Sequence, residues 1–305
     1  MTLNITIVEP WGIWQSSDHR LSHPTSGAPL DDSSIKHVAF RFPDGSALLA
    51  YAGLGSVRGV HISDWIREVL RGEPRSFHDT LTHLGEEATN VLGRYVDGQF
   101  HHMFSIGAFV QGHPWIVQVR NFESKSPGMI GPPTGSFIIV KRKLTRQPIA
   151  FVWGKGRDAL SKDDLHQLAR IVRRHRRRPV GFHTLLAMIN GKASQHPRHG
   201  FSVSSSCVTS YMPPEGHPIE SKYHEGRRGD RAIPFLLFGV DTTDMIQQVL
   251  DLHRSISDEN SGKSREDSDK RSHEIARESV EPRNRIGGRK STGTDHPRPR
   301  EAPEP

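Results

Sequence analysis

Strand-forming and helix-forming stretches are segregated along this chain, and that order restricts the possible folds more than any other feature of the sequence. LNITIV, GIWQSS, IKHVAFRF and SALLAYAG come first, with Pro43, Asp44 and Gly45 between the last two as a hairpin signal. Two helical patterns follow. Ser63 is placed to cap one, with Ile66, Val69 and Leu70 on a single face, and Ser76 to cap the other, in which Phe77, Leu81, Leu84, Ala88, Val91, Leu92 and Tyr95 recur at helical spacing. A second group of strands, HHMFSIGAFV, PWIVQVRNF, SFIIVKRK and PIAFVWG, then leads to another helix pair. Ser161 and Asp164 stand at capping-box spacing before Leu165, Leu168, Ala169 and Val172, and Pro179 opens a helix carrying Phe182, Leu185, Leu186 and Ile189. FSVSSSCVTSY reads as one strand and IPFLLFGV as another, before a last helix capped by Asp241 with Met245, Val249 and Leu252 facing inward. Alternating βαβ units would interleave single strands with single helices. Runs of strands followed by helix pairs instead predict an α+β fold of antiparallel sheets covered by helices.

Apolar content sets where this fold ends. From about Ser255 to Pro305 the chain is rich in Ser, Arg, Glu and Pro and poor in apolar residues, so it cannot offset its own chain entropy and reads as a disordered polar tail. The tail holds 11 Lys or Arg and 11 Asp or Glu, so the formal charge of +7 belongs to residues 1–254, read as one domain. Two basic runs, Val140–Arg146 and Arg173–Pro179, supply much of it. Neither has interleaved aromatics or a nucleic-acid motif, and cations at a helix end complement its dipole, so nucleic acid is not an expected partner. Cys207 is the single cysteine, which excludes an internal disulfide. No apolar stretch is long enough to span a bilayer, and the amino end lacks signal-peptide character. A cytoplasmic protein without membrane contact is the expectation.

The start of the chain raises a chemical question. Thr2 stands directly behind Met1, and Asp18 lies at the end of the second strand. Thr2, then GIWQSSDHR with Asp18 and Arg20, then Lys36 in SSIKHVAF, then Ala52 and Gly53 in YAGLG, occur in an order and spacing that resembles proteasome β-subunit-type N-terminal threonine hydrolases, as a divergent bacterial-type member. IGAF at Ile106–Phe109, WGKGRDAL and ASQHPRHGFSVS extend the resemblance across roughly Thr2–Arg254. It implies a four-layer α-β-β-α sandwich, a peptide or other amide as substrate, Thr2 as nucleophile and a ring-like homo-oligomer. It also implies Asp18, Lys36 and Gly53 as catalytic partners, with Arg20 nearby.

The residues suit that chemistry. A threonine hydroxyl needs a base within reach, and loss of Met1 would give Thr2 a free amine with an ordinary pKa of about 7.7–8.0. A buried Lys36 would keep that amine's pKa low, Asp18 would hold Lys36 charged and oriented, and the Gly53 N–H could face an oxyanion. Three positions depart from the family's pattern. Lys155 replaces a serine between Gly154 and Gly156, and His196 and His199 fall where an aspartate and a serine are usual, so a non-catalytic assembly or binding protein is the alternative. His101–His102 and His196–His199 lack a Cys or carboxylate cluster at metal spacing, and no cofactor is expected. Ser204–Ser206 lack a nucleophile elbow.

Overall fold

A computed structural model describes residues 2–22, 28–32, 34–95, 100–126, 129–145, 147–174, 179–197, 203–214, 219–224, 233–249 and 251–252. The chain divides into two compact units, Met1–Leu250 and Asp251–Pro305. In the second unit residues 251 and 252 are described, both helical, and the polar segment 255–305 lies outside the described residues.

The first unit is α+β with antiparallel sheets. Its strands are Asn4–Glu9 (β1), Gly12–Asp18 (β2), Leu21–Ser22 (β3), Pro29–Asp31 (β4), His37–Phe42 (β5), Gly45–Ala52 (β6), Ser56–Val57 (β7) and Val60–His61 (β8), followed by Met103–Val110 (β9), His113–Ser126 (β10), Met129–Lys143 (β11), Ile149–Trp153 (β12), Cys207–Met212 (β13), Glu220–His224 (β14), Phe235–Leu237 (β15) and Val240–Asp241 (β16). A five-stranded sheet runs β12-β1-β2-β13-β14 and a seven-stranded sheet runs β11-β10-β9-β6-β5-β15-β16, while β3-β4 and β7-β8 are small separate pairs. Pairing within the two large sheets is antiparallel except where β15 lies parallel to β5.

Helices α1 (Ile62–Leu70) and α2 (Phe77–Val91) follow β8, and α3 (Lys162–Arg174) and α4 (Pro179–Ser194) follow β12. Ser76 caps α2 by accepting from the Asp79 N–H, and Ser161 and Asp164 form the reciprocal cap of α3. Ser63 does not cap α1. His61 occupies that position without a side-chain bond, because the helix begins one residue ahead of Ser63.

Three apolar clusters hold these elements. Val38, Leu49, Phe104 and Ile106 of the larger sheet pack on Ile66, Leu81 and Leu84 of α1 and α2. Leu3, Ile5, Ile7 and Trp14 beside the smaller sheet pack on Leu168, Phe182 and Leu186 of α3 and α4. Val8 and Ile13 of the smaller sheet meet Ala39, Leu48 and Phe109 of the larger. Each fully buried aliphatic side chain stabilises by roughly 1.5–3 kcal/mol, so the cores can carry a few costly polar groups at their edges. β1 is buried along its whole length because both its faces are covered.

The expected last helix is helical over residues 243–249; Asp241 stands one residue ahead of its cap position, accepting from the Thr243 N–H. Its apolar residues do not face inward. Met245 and Val249 are each 61% exposed, and Leu252 is 62% exposed. The strand expected over FSVSSSCVTSY starts only at Cys207, leaving Ser204 to Ser206 ahead of it, and the IPFLLFGV segment turns at Phe238–Gly239 into β16.

Candidate active site

A two-residue connection, Pro10–Trp11, joins β1 and β2, and pairs Glu9 with Gly12 and Asn4 with Ser17. This register sets the residues just ahead of β1 beside the end of β2. The Asp18 N–H donates to the Leu3 carbonyl at 3.3 Å, and the Leu3 N–H donates to Asp18 Oδ1 at 2.7 Å. Lys36 arrives from the other sheet. It precedes β5, and its carbonyl accepts from the Tyr51 N–H at 3.0 Å, which ties it to the end of β6 where Ala52 and Gly53 follow.

Thr2, Asp18 and Lys36 thus meet where the two hairpins end. Thr2 Oγ1 donates to Asp18 Oδ1, and Lys36 Nζ donates to Thr2 Oγ1 at 2.8 Å. Lys36 Nζ also lies 3.4 Å from Asp18 Oδ1 and donates to the Arg20 carbonyl at 2.6 Å. All three side chains are buried, Thr2 being 2% exposed, Asp18 0% and Lys36 3%. Burial pushes the Lys36 ammonium below its ordinary pKa, and the Asp18 charge beside it offsets only part of that effect. The lysine can therefore lose its proton more readily than a surface lysine.

Asp18 is fixed from two further directions. Arg20 N–H donates to its Oδ2 at 3.1 Å, and Ser204 N–H to the same oxygen at 3.3 Å. Ser204 Oγ lies 2.7 Å from Ser206 Oγ, and Asn190 Nδ2 of α4 donates to the Ser204 carbonyl at 2.8 Å. Sequence reasoning assigned no role to Ser204. The signal was the pairing of Cys207 with Asp18, which brings the residues ahead of β13 to the carboxylate. His196 sits past the end of α4, donating its N–H to Ala193, and is not among the residues lining the cleft around Thr2. His199 lies outside the described residues. Arg20 contributes its backbone here, while its guanidinium pairs with Asp32 at 2.6 and 2.7 Å.

Thr2 opens onto a cleft of about 630 Å³ whose lining includes Ala52, Gly53, His101, Trp153, Gly154 and Lys155. Behind Gly53, the Tyr51 hydroxyl and His102 Nδ1 are hydrogen-bonded at 2.6 Å, and a Cβ on Gly53 would run into both. Burial lowers the His102 pKa to about 4, which keeps that imidazole neutral. On the other side Gly154 has φ +97° and ψ 167°, a region open essentially to glycine, and a Cβ there would overlap the Thr2 carbonyl oxygen. The Gly156 N–H donates to that same oxygen at 3.2 Å. Gly154→Ala is expected to cost about 1–3 kcal/mol for the backbone alone. Its midpoint of thermal unfolding should fall by several degrees, and an unchanged midpoint would show that the close approach to Thr2 is absent.

Among the described residues no group of three or more His, Cys, Asp or Glu could hold a metal ion, and no helix is long and apolar enough to cross a membrane. No family model and no curated protein matches this chain. Solved structures that resemble it include a Gly-1 mutant of Anbu from Hyphomicrobium sp. strain MC1, at 14% identity and TM-score 0.47, covering 87% of this chain and 100% of that one. Anbu from Yersinia bercovieri, described as an ancestral beta-subunit, matches at 15% identity and TM-score 0.43 over 71% of this chain and 88% of that one. The helical assembly of the Anbu complex from Pseudomonas aeruginosa matches at 12% identity and TM-score 0.47, over 84% of this chain and 95% of that one. These findings correct the resemblance to proteasome β-subunits: the similar structures are Anbu proteins, and any relation to proteasome β-subunits is at most distant.

Proposed function

We propose that the protein is an N-terminal threonine hydrolase of amide bonds, with Thr2 as nucleophile once the Met1–Thr2 bond is cut. The observation that carries this reading is the buried hydrogen-bonded trio of Thr2, Asp18 and Lys36 at the edge of a cleft. A structural threonine has no need of a lysine on its hydroxyl, and burying that lysine is costly without a use for it.

In the proposed reaction the freed Thr2 amine takes the hydroxyl proton while Oγ1 bonds to the substrate's carbonyl carbon. Lys36 Nζ, donating to Oγ1, stabilises charge on that oxygen. The Gly53 N–H receives the oxyanion. Collapse of the tetrahedral adduct breaks the C–N bond, and the leaving nitrogen takes the proton from the Thr2 ammonium. Water, deprotonated by the same amine, then cleaves the ester and restores Thr2. Asp18 orients Thr2 and Lys36, and is itself fixed by the Leu3, Arg20 and Ser204 N–H groups.

The three apolar clusters support a further reading of the first unit as a four-layer sandwich, helix pair, sheet, sheet, helix pair. Exposed Met245 and Val249 support self-association, which would cover them.

Two measurements test the hydrolase reading. Intact mass should show a protein lacking Met1, and an electrophilic probe selective for terminal threonine should label wild type and leave Thr2→Ala unlabelled, a loss of at least a hundredfold. Retention of Met1 in all of the purified protein, or equal labelling of the variant, would refute it.

A further inference from the structure

The segment that touches the nucleophile's backbone also carries an unbalanced charge. Lys155 lies between Gly154 and Gly156, the first barred by close approach from having a side chain and the second bonded through its N–H to the Thr2 carbonyl. Arg157 follows immediately in the 3-10 turn Lys155–Ala159, and Lys162 opens α3. All three cations line the same cleft as Thr2, and among its described lining residues Asp158 is the one carboxylate. Lys155 and Lys162 are exposed and Arg157 is half-buried. Among the described residues no side-chain hydrogen bond or ion pair engages any of them, although the cations elsewhere in this fold that meet carboxylates, Arg20, Arg67 and Lys192, do so at short range. Apolar residues share the lining, among them Leu54, Phe100, Ile130, Leu160 and Leu165.

A cleft lined by three cations, a single described carboxylate and several apolar groups selects an anionic group with an apolar neighbour. We propose that this cleft recognises a carboxylate adjoining the scissile amide, so that the substrate is an acidic peptide with Glu or Asp directly before the cleaved bond. The inference rests on the hydrolase reading for the word substrate, whereas the recognition itself needs only the cleft. Lys155 and Arg157 flank Gly156, whose N–H bonds the Thr2 carbonyl, which is why the carboxylate is assigned to the residue next to the bond. Asp158 in the same lining disfavours a second, more distant carboxylate.

Three acetylated tripeptide coumarylamides, alike except for Glu, Gln or Lys before the coumarin, would read the preference, with γ-glutamyl coumarylamide as a second source of a nearby carboxylate. A charge-assisted contact should favour Glu over Gln by on the order of tenfold or more in kcat/KM, with the gap shrinking as salt is raised. Lys155→Gln combined with Arg157→Gln should bring the Glu/Gln ratio close to one, and Lys155→Glu combined with Arg157→Glu should turn the preference toward Lys. Stronger cleavage of the γ-glutamyl compound than of the Glu peptide would overturn the peptide assignment. Binding to Thr2→Ala, followed by anisotropy of fluorescein-labelled Glu and Gln peptides, separates the two readings. Tenfold tighter binding of the Glu peptide without cleavage by wild type would uphold the cationic cleft and overturn the hydrolase. Cleavage with Gln or Lys equal to or better than Glu, or equal binding of both peptides, would overturn the acidic-peptide proposal and leave the hydrolase standing.

Discussion

Lys36→Ala should lose activity and, more tellingly, unfold at a much lower temperature than wild type. Lys36 and Asp18 are both fully enclosed, and removing one partner of a buried pair leaves the other charge without compensation, at a cost of about 3–5 kcal/mol. In a domain of this size about 2–4 °C accompanies each kcal/mol, so the midpoint should drop by roughly 10 °C. Lys36→Met keeps most of the volume and should lose nearly as much, because the penalty is electrostatic. Differential scanning calorimetry of the two variants checks this. A midpoint within two degrees or so of wild type for both would mean that the pair is solvated, and that Lys36 has no lowered pKa to offer Thr2.

Acid should destabilise the fold well above the ordinary pKa range of carboxylates. Burial lowers His19 and His102 to about 4 and His37 to about 3, and neither ring nitrogen of His37 has a hydrogen-bond partner among the described residues. Each of these imidazoles has a folded-state pKa below its unfolded value of 6.5, so the unfolded chain takes up protons first as pH falls. Stability is therefore complete above about 6.5 and is lost progressively toward pH 4. Summed over the three groups, the loss between pH 7 and pH 5 is about 5–6 kcal/mol, and His183, which burial lowers to about 4, adds to it. Glu9 acts in the opposite sense. Burial raises its carboxyl to about 7, so its contribution grows as pH falls through 7 and offsets part of the loss. Lys36 adds a slope at the other end of the scale, since a lysine with a lowered folded pKa makes stability rise with pH up to its unfolded value of 10.5. Urea titrations at pH 7 and pH 5 should show the fall, and His37→Leu should flatten it by about a third. An unchanged urea midpoint at pH 5 would contradict the burial of these histidines.

Much of this architecture was written locally. Ser76, Ser161 with Asp164, and Pro179 mark helix starts through chemistry confined to one turn, and those starts are where the helices begin. Pro43–Gly45 likewise places the β5–β6 turn. What failed depended on partners distant in sequence. Met245 and Val249 carry an inward-looking helical pattern, yet pattern alone cannot say whether a core waits for it. Ser63 is a good cap residue that the hairpin β7–β8 leaves two residues past the cap position. In the site, Thr2, Asp18 and Lys36 were legible because their order along two hairpins was enough to place them. Ser204 was not, since its approach to Asp18 depends on the register of β13 against β2, 186 residues away along the chain. His196 and His199 were counted as substitutes for network residues by alignment alone, and the described one of the two lies off the cleft.

The short Pro10–Trp11 link has a consequence for how much length variation this site tolerates. Side chains along a strand alternate between faces, so one added residue before Asp18 would slide the pairing by a single step and exchange Thr2 with Leu3. An isobutyl group would then stand against Lys36, and a hydroxyl would be pressed into the aliphatic cluster that Leu3 now occupies. Spacing is thus as strict a requirement as residue type, and single-residue insertions into the first hairpin should be far more damaging than most substitutions within it.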